Sequence, residues 1–511
     1  MSLSAVKPEH IAFGLAAILA AMVALWPLGI GVDYMNHLAR TYIQGHLASE
    51  PALQEFYAVS YGFIPDLTMD MIVPWLSQLI GIYAAGGVTV WLALALPPLA
   101  GLVLARSLHG RVTWLSLLGF LTVFNANMIW GFVNYTVSSG LAILAFALWV
   151  RMAPNLRRTL VFAPIGLFLV ANHALAFLLF GFLVFSWEII CFAKQERGTI
   201  WGFAKQCISL DLLAMLPGLL FLVLSVLSAT DLPQNVADLY DFSKKFDFIF
   251  AATDFNNRQL SWLIVPILFI LFVFALYKNW ITFAPKTMWL CAALASLVIL
   301  IPTAIFGIWG LHLRFTAPLF ILLAASIAPT GGAPARLQPA LSGAALAGIA
   351  LLFTNAGTQM QNVDHQSQAL RQQLVDLPIG SKIMAVYADE QSGNAFTVHA
   401  VSLAVIDRAA FVPNLFTNTS FVDVTPGVVD LHMPQAWPIG AADLAMLADR
   451  PAVASENGYW SKDFANDWPR RWDYLLMFKT AEQDALSDLP VCAVSATPEI
   501  ILYKTEPCAQ N

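Results

Sequence analysis

Long apolar runs, separated by short polar stretches, dominate the first 355 residues of this chain of 511 residues. A run of about 20 apolar residues has the length of a transmembrane helix. Hydrophobic residues make up 59% of the chain and charged residues 11%, against about 45–50% and about 25% in soluble proteins. The sequence therefore predicts a polytopic α-helical membrane protein, with span candidates at about 11–31, 86–105, 113–125, 133–150, 159–171, 174–193, 208–229, 260–277, 287–306, 315–328 and 339–355, about 11 in all.

The last third of the chain has a different composition. Residues 1–355 carry 17 Lys and Arg against 14 Asp and Glu, whereas residues 356–511 carry 9 against 18. Strand-like runs begin at Lys382, Trp472 and Glu499, and helical patterns lie between them. We therefore predict a transmembrane domain of residues 1–355, with a large first outer loop at 32–85, and a C-terminal soluble α/β domain of residues 356–511.

The basic residues of the membrane domain predict its orientation. The connections between runs form two alternating sets, of which one holds 12 Lys and Arg, including Lys7, and the other holds 5. Positively charged short loops remain in the cytoplasm, so the N-terminus is expected there. An odd number of spans then places the C-terminal domain in the periplasm of a multi-pass inner (plasma) membrane protein. An oxidising compartment would permit a disulfide between Cys492 and Cys508.

The first outer loop contains the largest group of candidate functional residues. If Asp33 opens a helix, then Asp33, His37 and Arg40 project from one face, because they are spaced i, i+4 and i+7. A plainer interpretation is that Asp33 caps this helix and Arg40 extends toward lipid headgroups. The next segment has Asp66 at a helix cap and Asp70 one turn later, in apolar surroundings near the membrane. Acids in such surroundings are functional hypotheses by default.

The segment Asp33-Tyr-Met-Asn-His37, at the start of a large outer loop after one span, resembles the acidic motif of the GT-C glycosyltransferase superfamily. The resemblance covers the architecture throughout but the motif only locally. It implies an enzyme that takes a sugar from a polyprenyl-phosphate donor and transfers it to a glycan, lipid or protein at the outer face of the bilayer. Several such families have paired acids, whereas Tyr34 follows Asp33 here.

An inverting transfer of this kind requires a general base on the acceptor hydroxyl and cations against the departing phosphate. We predict Asp33 as the base, with Asp70 and His37 as further catalytic candidates. Arginine suits phosphate because its planar fork binds two oxygens. The substrate-binding candidates share outer-loop or hairpin-tip positions: Arg40, Asp66, Asn134, His173, Arg258, His312 and Arg314.

Several of these candidates also have a plainer structural interpretation. Arg314 is equally well read as an anchor at a helix end, and His173 as a packing histidine. A divalent metal ion could join Asp33, Asp70 and His37, although no compact ligand motif is present. In the tail, His399 could face the membrane domain or lie in a core helix.

Two other classes of function remain open. A lipid or polysaccharide transporter would need a pathway to the cytoplasmic side, and the sequence has no clear repeat between halves as many transporters do. A non-catalytic envelope-assembly subunit would keep its function in the tail alone, which has no Gly-rich phosphate loop or nucleophile elbow. No nucleic-acid partner is predicted.

Overall fold

A computed structural model of the protein describes most of the chain. The described residues are 7–194, 199–206, 210–228, 245, 248–305, 308–334, 337–387, 398–417, 420–434, 438–453, 461–478, 486 and 489–506.

The chain forms two compact units. The helical unit comprises residues 1–25, 63–68 and 88–359, and the mixed unit comprises residues 26–62, 69–87 and 360–511. Most of the first loop thus groups with the last third of the chain rather than with the apolar helices. The division at residues 355 and 356 stays a prediction.

Helices account for most of the described chain, and their bounds follow the apolar runs. In chain order they are α1 (Pro8–Leu25), α2 (Tyr34–His46), α3 (Pro51–Phe56), α4 (Thr68–Ile80), α5 (Ile82–His109), α6 (Ala126–Ile129), α7 (Val133–Trp149), α8 (Leu156–Asn172), α9 (Ala174–Ala193), α10 (Ile200–Gln206), α11 (Leu212–Ser228), α12 (Phe248–Ala251), α13 (Arg258–Tyr277), α14 (Thr287–Leu300), α15 (Leu311–Arg314), α16 (Thr316–Ser326), α17 (Leu337–Leu374), α18 (Leu403–Arg408), α19 (Ala441–Leu447) and α20 (Trp468–Arg471). Short 3-10 helices lie at Trp114–Thr122, Ala400–Ser402, Val429–Leu431 and Asp463–Ala465.

The strands are short. They are β1 (Tyr57–Val59), β2 (Ile281–Phe283), β3 (Ala304–Ile305), β4 (Ile308–Trp309), β5 (Ile327–Pro329), β6 (Ile383–Tyr387), β7 (Val422–Val424), β8 (Ile439–Gly440), β9 (Tyr474–Phe478), β10 (Cys492–Ala496) and β11 (Ile500–Lys504).

The helical unit has the character expected of a membrane domain. Among the described residues, five helices are long and apolar enough to cross a membrane, namely α1, α5, α9, α13 and α17. Helix α9, with 20 residues, is about 30 Å long at 1.5 Å per residue, which matches the hydrocarbon thickness of a bilayer. Further apolar helices in this part of the chain are shorter. The membrane prediction is confirmed, while the number of spans stays a prediction.

Aromatic packing forms the core of the helical unit. Trp149 is fully buried and meets the ring of Phe162 edge-on at 4.7 Å and that of Phe180 at 6.1 Å. Phe162 and Phe180 stack on each other at 5.7 Å. Helices α7, α8 and α9 are thereby locked together, because buried aromatic pairs contribute both apolar area and a preferred geometry.

A buried charge cluster lies at the ends of the same helices. Arg158 donates to Glu188 at 3.0 Å and to Asp211 at 2.6 Å. Its guanidinium also lies 4.0 Å from the ring centroid of Trp149, whose indole N–H donates to Glu188. Buried charges are tolerated where they are paired and hydrogen-bonded in this way. Glu188 and Asp211 are therefore part of a structural cluster.

Helix α17 is 38 residues long, or about 57 Å, and so exceeds the thickness of a bilayer. Its first half contains the last predicted span, at 339–355, and its second half is the beginning of the more polar last third of the chain. No break separates the two, so the composition change that suggested a domain boundary falls inside one helix.

The mixed unit contains a five-stranded sheet with the order β10, β11, β9, β6, β8. Strand β6 pairs parallel with β8 and β9, whereas β11 pairs antiparallel with β9 and β10. The three strand-like runs predicted from the sequence are β6, β9 and β11. Cys492 in β10 is disulfide-bonded, and its predicted partner Cys508 lies outside the described residues.

The first loop is an integral part of the mixed unit. Strand β1 pairs antiparallel with β7, with Tyr57 opposite Val424. The Tyr57 hydroxyl, which is buried, donates to the Ala410 carbonyl at 3.1 Å. Near the start of the loop, a Cβ added to Gly29 would lie 2.7 Å from the backbone oxygen of Met360. The close approach at this point requires glycine.

Candidate functional site

The Asp33 carboxylate stands at the start of α2, in the mixed unit. Asp33 is the N-cap residue of α2, yet its side chain makes no capping hydrogen bond. The side chain is 19% exposed. The predicted helix start at Asp33 is confirmed, and Asp33 occupies the N-cap position, as the plainer interpretation has it, but without a capping hydrogen bond.

Arg40 and Asp70 bind each other inside the mixed unit. The Arg40 guanidinium donates to the Asp70 carboxylate at 2.7 Å, and both side chains are fully buried. Burial raises the pKa of Asp70, and the charge of Arg40 acts in the opposite direction. The alternative in which Arg40 extends toward lipid headgroups is therefore wrong. The roles predicted for the two as phosphate ligand and catalytic acid stay predictions, and the buried pair does not favour them.

His399, from the tail, faces Asp33. Its Nε2 lies 3.6 Å from Oδ1 of Asp33, and its Nδ1 lies 3.2 Å and 3.1 Å from the amide nitrogens of Asn36 and Asn414. The predicted candidate His37 lies one turn into α2, is almost fully buried, and packs edge-on against Phe416 at 5.5 Å. The candidate base is thus surrounded by groups from α2 and the last third of the chain.

A second acid and histidine meet in the helical unit. Oδ1 of Asp66 lies 3.7 Å from Nε2 of His173, and the Asp66 carbonyl accepts from the Asn134 amide at 3.0 Å. Nδ1 of His173 accepts from the backbone N–H of Leu175 at 3.1 Å. The predicted candidates Asp66, Asn134 and His173 are therefore neighbours.

The backbone at Asp66 is strained. Its φ of 127° lies in a region that residues other than glycine rarely adopt. Helix α4 begins two residues later, at Thr68, so the expected role of Asp66 as the cap residue is wrong. The Thr68 hydroxyl lies 3.0 Å from that of Ser138 and 3.1 Å from Oδ1 of Asn172, and these contacts anchor the segment. Strained residues cluster at functional sites.

Arg314 lies on two aromatic rings of the helical unit. Its guanidinium carbon is 3.8 Å from the ring centroid of Phe132 and 5.7 Å from that of Tyr135. The Tyr135 hydroxyl donates to the Arg314 carbonyl at 2.7 Å, and its ring meets His173 edge-on at 5.2 Å. Stacking of this kind holds the planar guanidinium in one orientation.

Two further predicted candidates, His312 and Arg258, belong to the helical unit. His312, also in α15, is buried, whereas Arg258 begins α13 with an exposed side chain. A cavity of about 10 Å³ lies beside Asn125 and Asn127, which is room for about one water molecule. Within the described residues, no three His, Cys, Asp or Glu side chains are grouped to hold a metal ion.

Comparison with solved structures reveals the fold. No protein-family model matches the chain, and no curated protein matches it by sequence. The structure of ArnT from Cupriavidus metallidurans bound to undecaprenyl phosphate superposes with a TM-score of 0.54 at 11% identity, covering 97% of this chain and 98% of that one. This chain shares the fold of ArnT.

A second ArnT structure, in the apo state, matches with a TM-score of 0.50 at 12% identity, again over 97% of this chain and 98% of that one. The arabinofuranosyltransferase AftD from mycobacteria matches with a TM-score of 0.45 at 12% identity, over 98% of this chain and 40% of that one. ArnT and AftD are GT-C glycosyltransferases. The predicted GT-C resemblance is confirmed for the fold by ArnT.

Sequence reasoning did not single out several residues around these groups. Asn36 and Asn414 surround His399, and Phe132 and Tyr135 support Arg314. Asn36 lies within the quoted motif, and Phe132 and Tyr135 lie within two residues of Asn134, so their positions carried some signal. Asn414 carried no such signal, because no sequence pattern distinguishes it from other asparagines in loops.

Proposed function

We propose that this chain is an inverting membrane glycosyltransferase, which moves a sugar from a polyprenyl-phosphate donor to an acceptor hydroxyl. Asp33 takes the proton of that hydroxyl, whose oxygen bonds to the anomeric carbon of the sugar. The bond between this carbon and the phosphate oxygen breaks, and its electron pair leaves with the polyprenyl phosphate. This reaction needs a base and an anion-binding cation, and the chain offers both.

The observation that carries the proposal is the Asp33 carboxylate, in a chain with the fold of an undecaprenyl-phosphate-binding protein. Asp33 is partly exposed and makes no capping bond, whereas Asp70 is fully buried against Arg40. A general base must reach the proton that it abstracts. We therefore assign the base to Asp33 and a supporting role to the buried pair.

Arg314 is our choice for the phosphate ligand. Its guanidinium is preoriented on Phe132 and Tyr135, and a planar fork binds two phosphate oxygens at once. Asp66 and His173 would contribute hydrogen bonds to the sugar, since both side chains are partly exposed. Lysine at position 314 would keep the charge but lose the stacked fork.

The test is sugar transfer by the purified protein from a panel of polyprenyl-phosphate sugars. We expect Asp33→Asn to be made and inserted normally yet to lose transfer by about 100-fold or more. Asp443→Asn, at a surface ion pair in the tail, serves as the control and should retain full activity. Full activity in Asp33→Asn would refute its assignment as the base.

The same assays separate the alternatives. A transporter would move the labelled lipid across the membrane of proteoliposomes without changing it chemically, and the function of an assembly subunit would not change in Asp33→Asn.

Arg314→Lys should raise the KM for the lipid donor about 10-fold or more, because a bidentate contact becomes a single one. Acceptors would be sought among glycans, lipids and proteins.

We further propose that the reaction takes place at the periplasmic face of the inner membrane, with the N-terminus in the cytoplasm. The bias of basic residues between the two sets of connections supports this orientation. Single cysteines at exposed positions of the tail, such as Met446, should react with a membrane-impermeant maleimide in spheroplasts. Labelling only after membrane lysis would reverse the orientation.

A further inference from the structure

The two ring nitrogens of His399 have different surroundings. Nδ1 faces the amide nitrogens of Asn36 and Asn414, at 3.2 Å and 3.1 Å. Nε2 faces Asp33, 3.6 Å from its Oδ1. In a neutral imidazole one nitrogen donates and the other accepts. The orientation of the two amides therefore decides which nitrogen of His399 carries the proton.

Two backbone groups determine the orientation of the Asn36 amide. Its Oδ1 accepts from the N–H of Phe416 at 2.8 Å, and its Nδ2 donates to the carbonyl of Asn414 at 2.7 Å. A flipped amide would set oxygen against oxygen and N–H against N–H. The second hydrogen of Nδ2 remains for His399, so Asn36 is a donor to Nδ1.

The Asn414 amide is oriented in the same way. Its Nδ2 donates to the carbonyl of Val398 at 3.2 Å, and a carbonyl can only accept. The group that faces Nδ1 of His399 is therefore again an N–H donor. Two donors meet at Nδ1, so this nitrogen is unprotonated. The proton of the neutral imidazole is on Nε2, the nitrogen that faces Asp33.

The imidazole is also neutral at ordinary pH. His399 is 4% exposed, and its ring meets Phe416 edge-on at 4.8 Å. Burial lowers the pKa of His399 to about 3. The titratable groups of α2 on this side are Asp33 and His37, and the ring of His37 packs against Phe416 as well. Asp33 therefore faces a neutral N–H donor and not a competing cation.

We propose that His399 is a positioning residue for Asp33: its Nε2–H faces the carboxylate and donates a hydrogen bond to it in the substrate complex. This inference rests on the proposed function, in which Asp33 is the base. An aspartate at an N-cap usually turns back to the N–H groups of its own helix, but Asp33 does not. The gap of 3.6 Å exceeds a hydrogen bond, and such contacts tighten when substrate binds.

Glutamine is the informative substitution, because its oxygen can accept from the two asparagines while its amide nitrogen donates to Asp33. We expect His399→Gln to keep the kcat for sugar transfer within about 3-fold of the wild type. His399→Phe should lower kcat about 10–100-fold, the usual effect of removing a supporting hydrogen bond at a reacting group. The KM for the lipid donor should not change.

The control is His432→Gln, since His432 is the other buried histidine described in the tail and donates to the carbonyl of Leu415. It should leave kcat unchanged. In His399→Phe, the acid limb of the kcat profile should move to higher pH, an effect that mere loss of packing would not produce. An unchanged kcat in a folded His399→Phe, or equal losses in the Gln and Phe variants, would overturn the inference.

A measurement without activity separates this inference from the proposed function. In protein labelled with 15N-histidine, His399 should show a protonated Nε2 and an unprotonated Nδ1. Asp33→Ala should shift the Nε2 proton signal of His399 and leave that of His432 in place. A protonated Nδ1 refutes the arrangement even if transfer is observed. If the wild type transfers no sugar, the proposed function fails, and the spectra still decide how His399 and Asp33 interact.

Discussion

The Asp70 carboxylate accepts a hydrogen bond from the Arg40 guanidinium at 2.7 Å, with both side chains fully buried. The pair joins α2, which Asp33 begins, to α4, which follows the strained residue Asp66. Two charges that were candidates for chemistry thus hold α2 and α4 together.

Breaking this pair should be costly. Asp70→Ala leaves the Arg40 charge buried without this partner, and we expect a loss of about 3–5 kcal/mol in the free energy of unfolding. Replacing both partners, as in Arg40→Met with Asp70→Leu, should restore part of that loss, because no charge then remains buried. Thermal unfolding of the detergent-solubilised protein measures both. A single variant as stable as the wild type would contradict the structural role.

The strain at Asp66 can be measured by comparing two substitutions. Asp66→Ala and Asp66→Gly both remove the carboxylate, but only glycine adopts a φ of 127° without strain. We expect the glycine variant to be the more stable of the two by about 1–3 kcal/mol. Both should lose activity if the carboxylate binds substrate. Equal stability would mean that the backbone relaxes at this position.

Buried neutral histidines should make the fold sensitive to acid. Burial lowers the pKa of His432 to about 4, below the value of about 6.5 in an unfolded chain. Between these values the unfolded chain binds a proton that the folded chain does not, so stability falls as the pH falls through this window.

Each such histidine contributes a slope of about 1.4 kcal/mol per pH unit. His432→Gln removes a titrating group, so its melting temperature should depend less steeply on pH between 6 and 4 than that of the wild type. Parallel curves for the two proteins would show that His432 is protonated in the folded state.

Close packing at Gly29 predicts that Gly29→Ala lowers the stability of the fold. A Cβ at this position would meet the backbone of Met360 at 2.7 Å, and overpacking of this kind costs about 1–3 kcal/mol. Gly14→Ala is the matched control, because nothing lies within 4 Å of its added Cβ and alanine favours α1 by up to about 1 kcal/mol. Melting curves of the two variants should therefore move in opposite directions.

The elements that could be predicted are those whose signal is local. The length of an apolar run is enough to predict a helix such as α9, and a short continuous apolar run bounded by polar residues is enough for β9 and β11. The helix start at Asp33 was the premise of the spacing argument, and α2 does begin directly after this residue. The start of α4 was misplaced by one residue, because a strained residue such as Asp66 leaves no mark in composition.

The assembly of the mixed unit could not be predicted, because its contacts join distant segments. From the sequence alone, β1 looks like part of a loop, because its pairing partner β7 lies far away in the sequence. Arg40 was expected to meet phosphate, since nothing local indicates that Asp70 is its partner. His399 was noticed as a titratable residue, but only the fold brings it to Asp33.

The contact between Asn36 and His399 joins positions 363 residues apart. At a synthesis rate of about 5–20 residues per second, roughly 20–70 s separate the emergence of these two residues from the ribosome. During that interval α2 has been synthesised, but His399, which faces Asp33, has not. A polypeptide that ends before His399 can insert its apolar helices, but it lacks an ordered candidate base. Completion of the chain is thus a precondition for the contacts that surround Asp33.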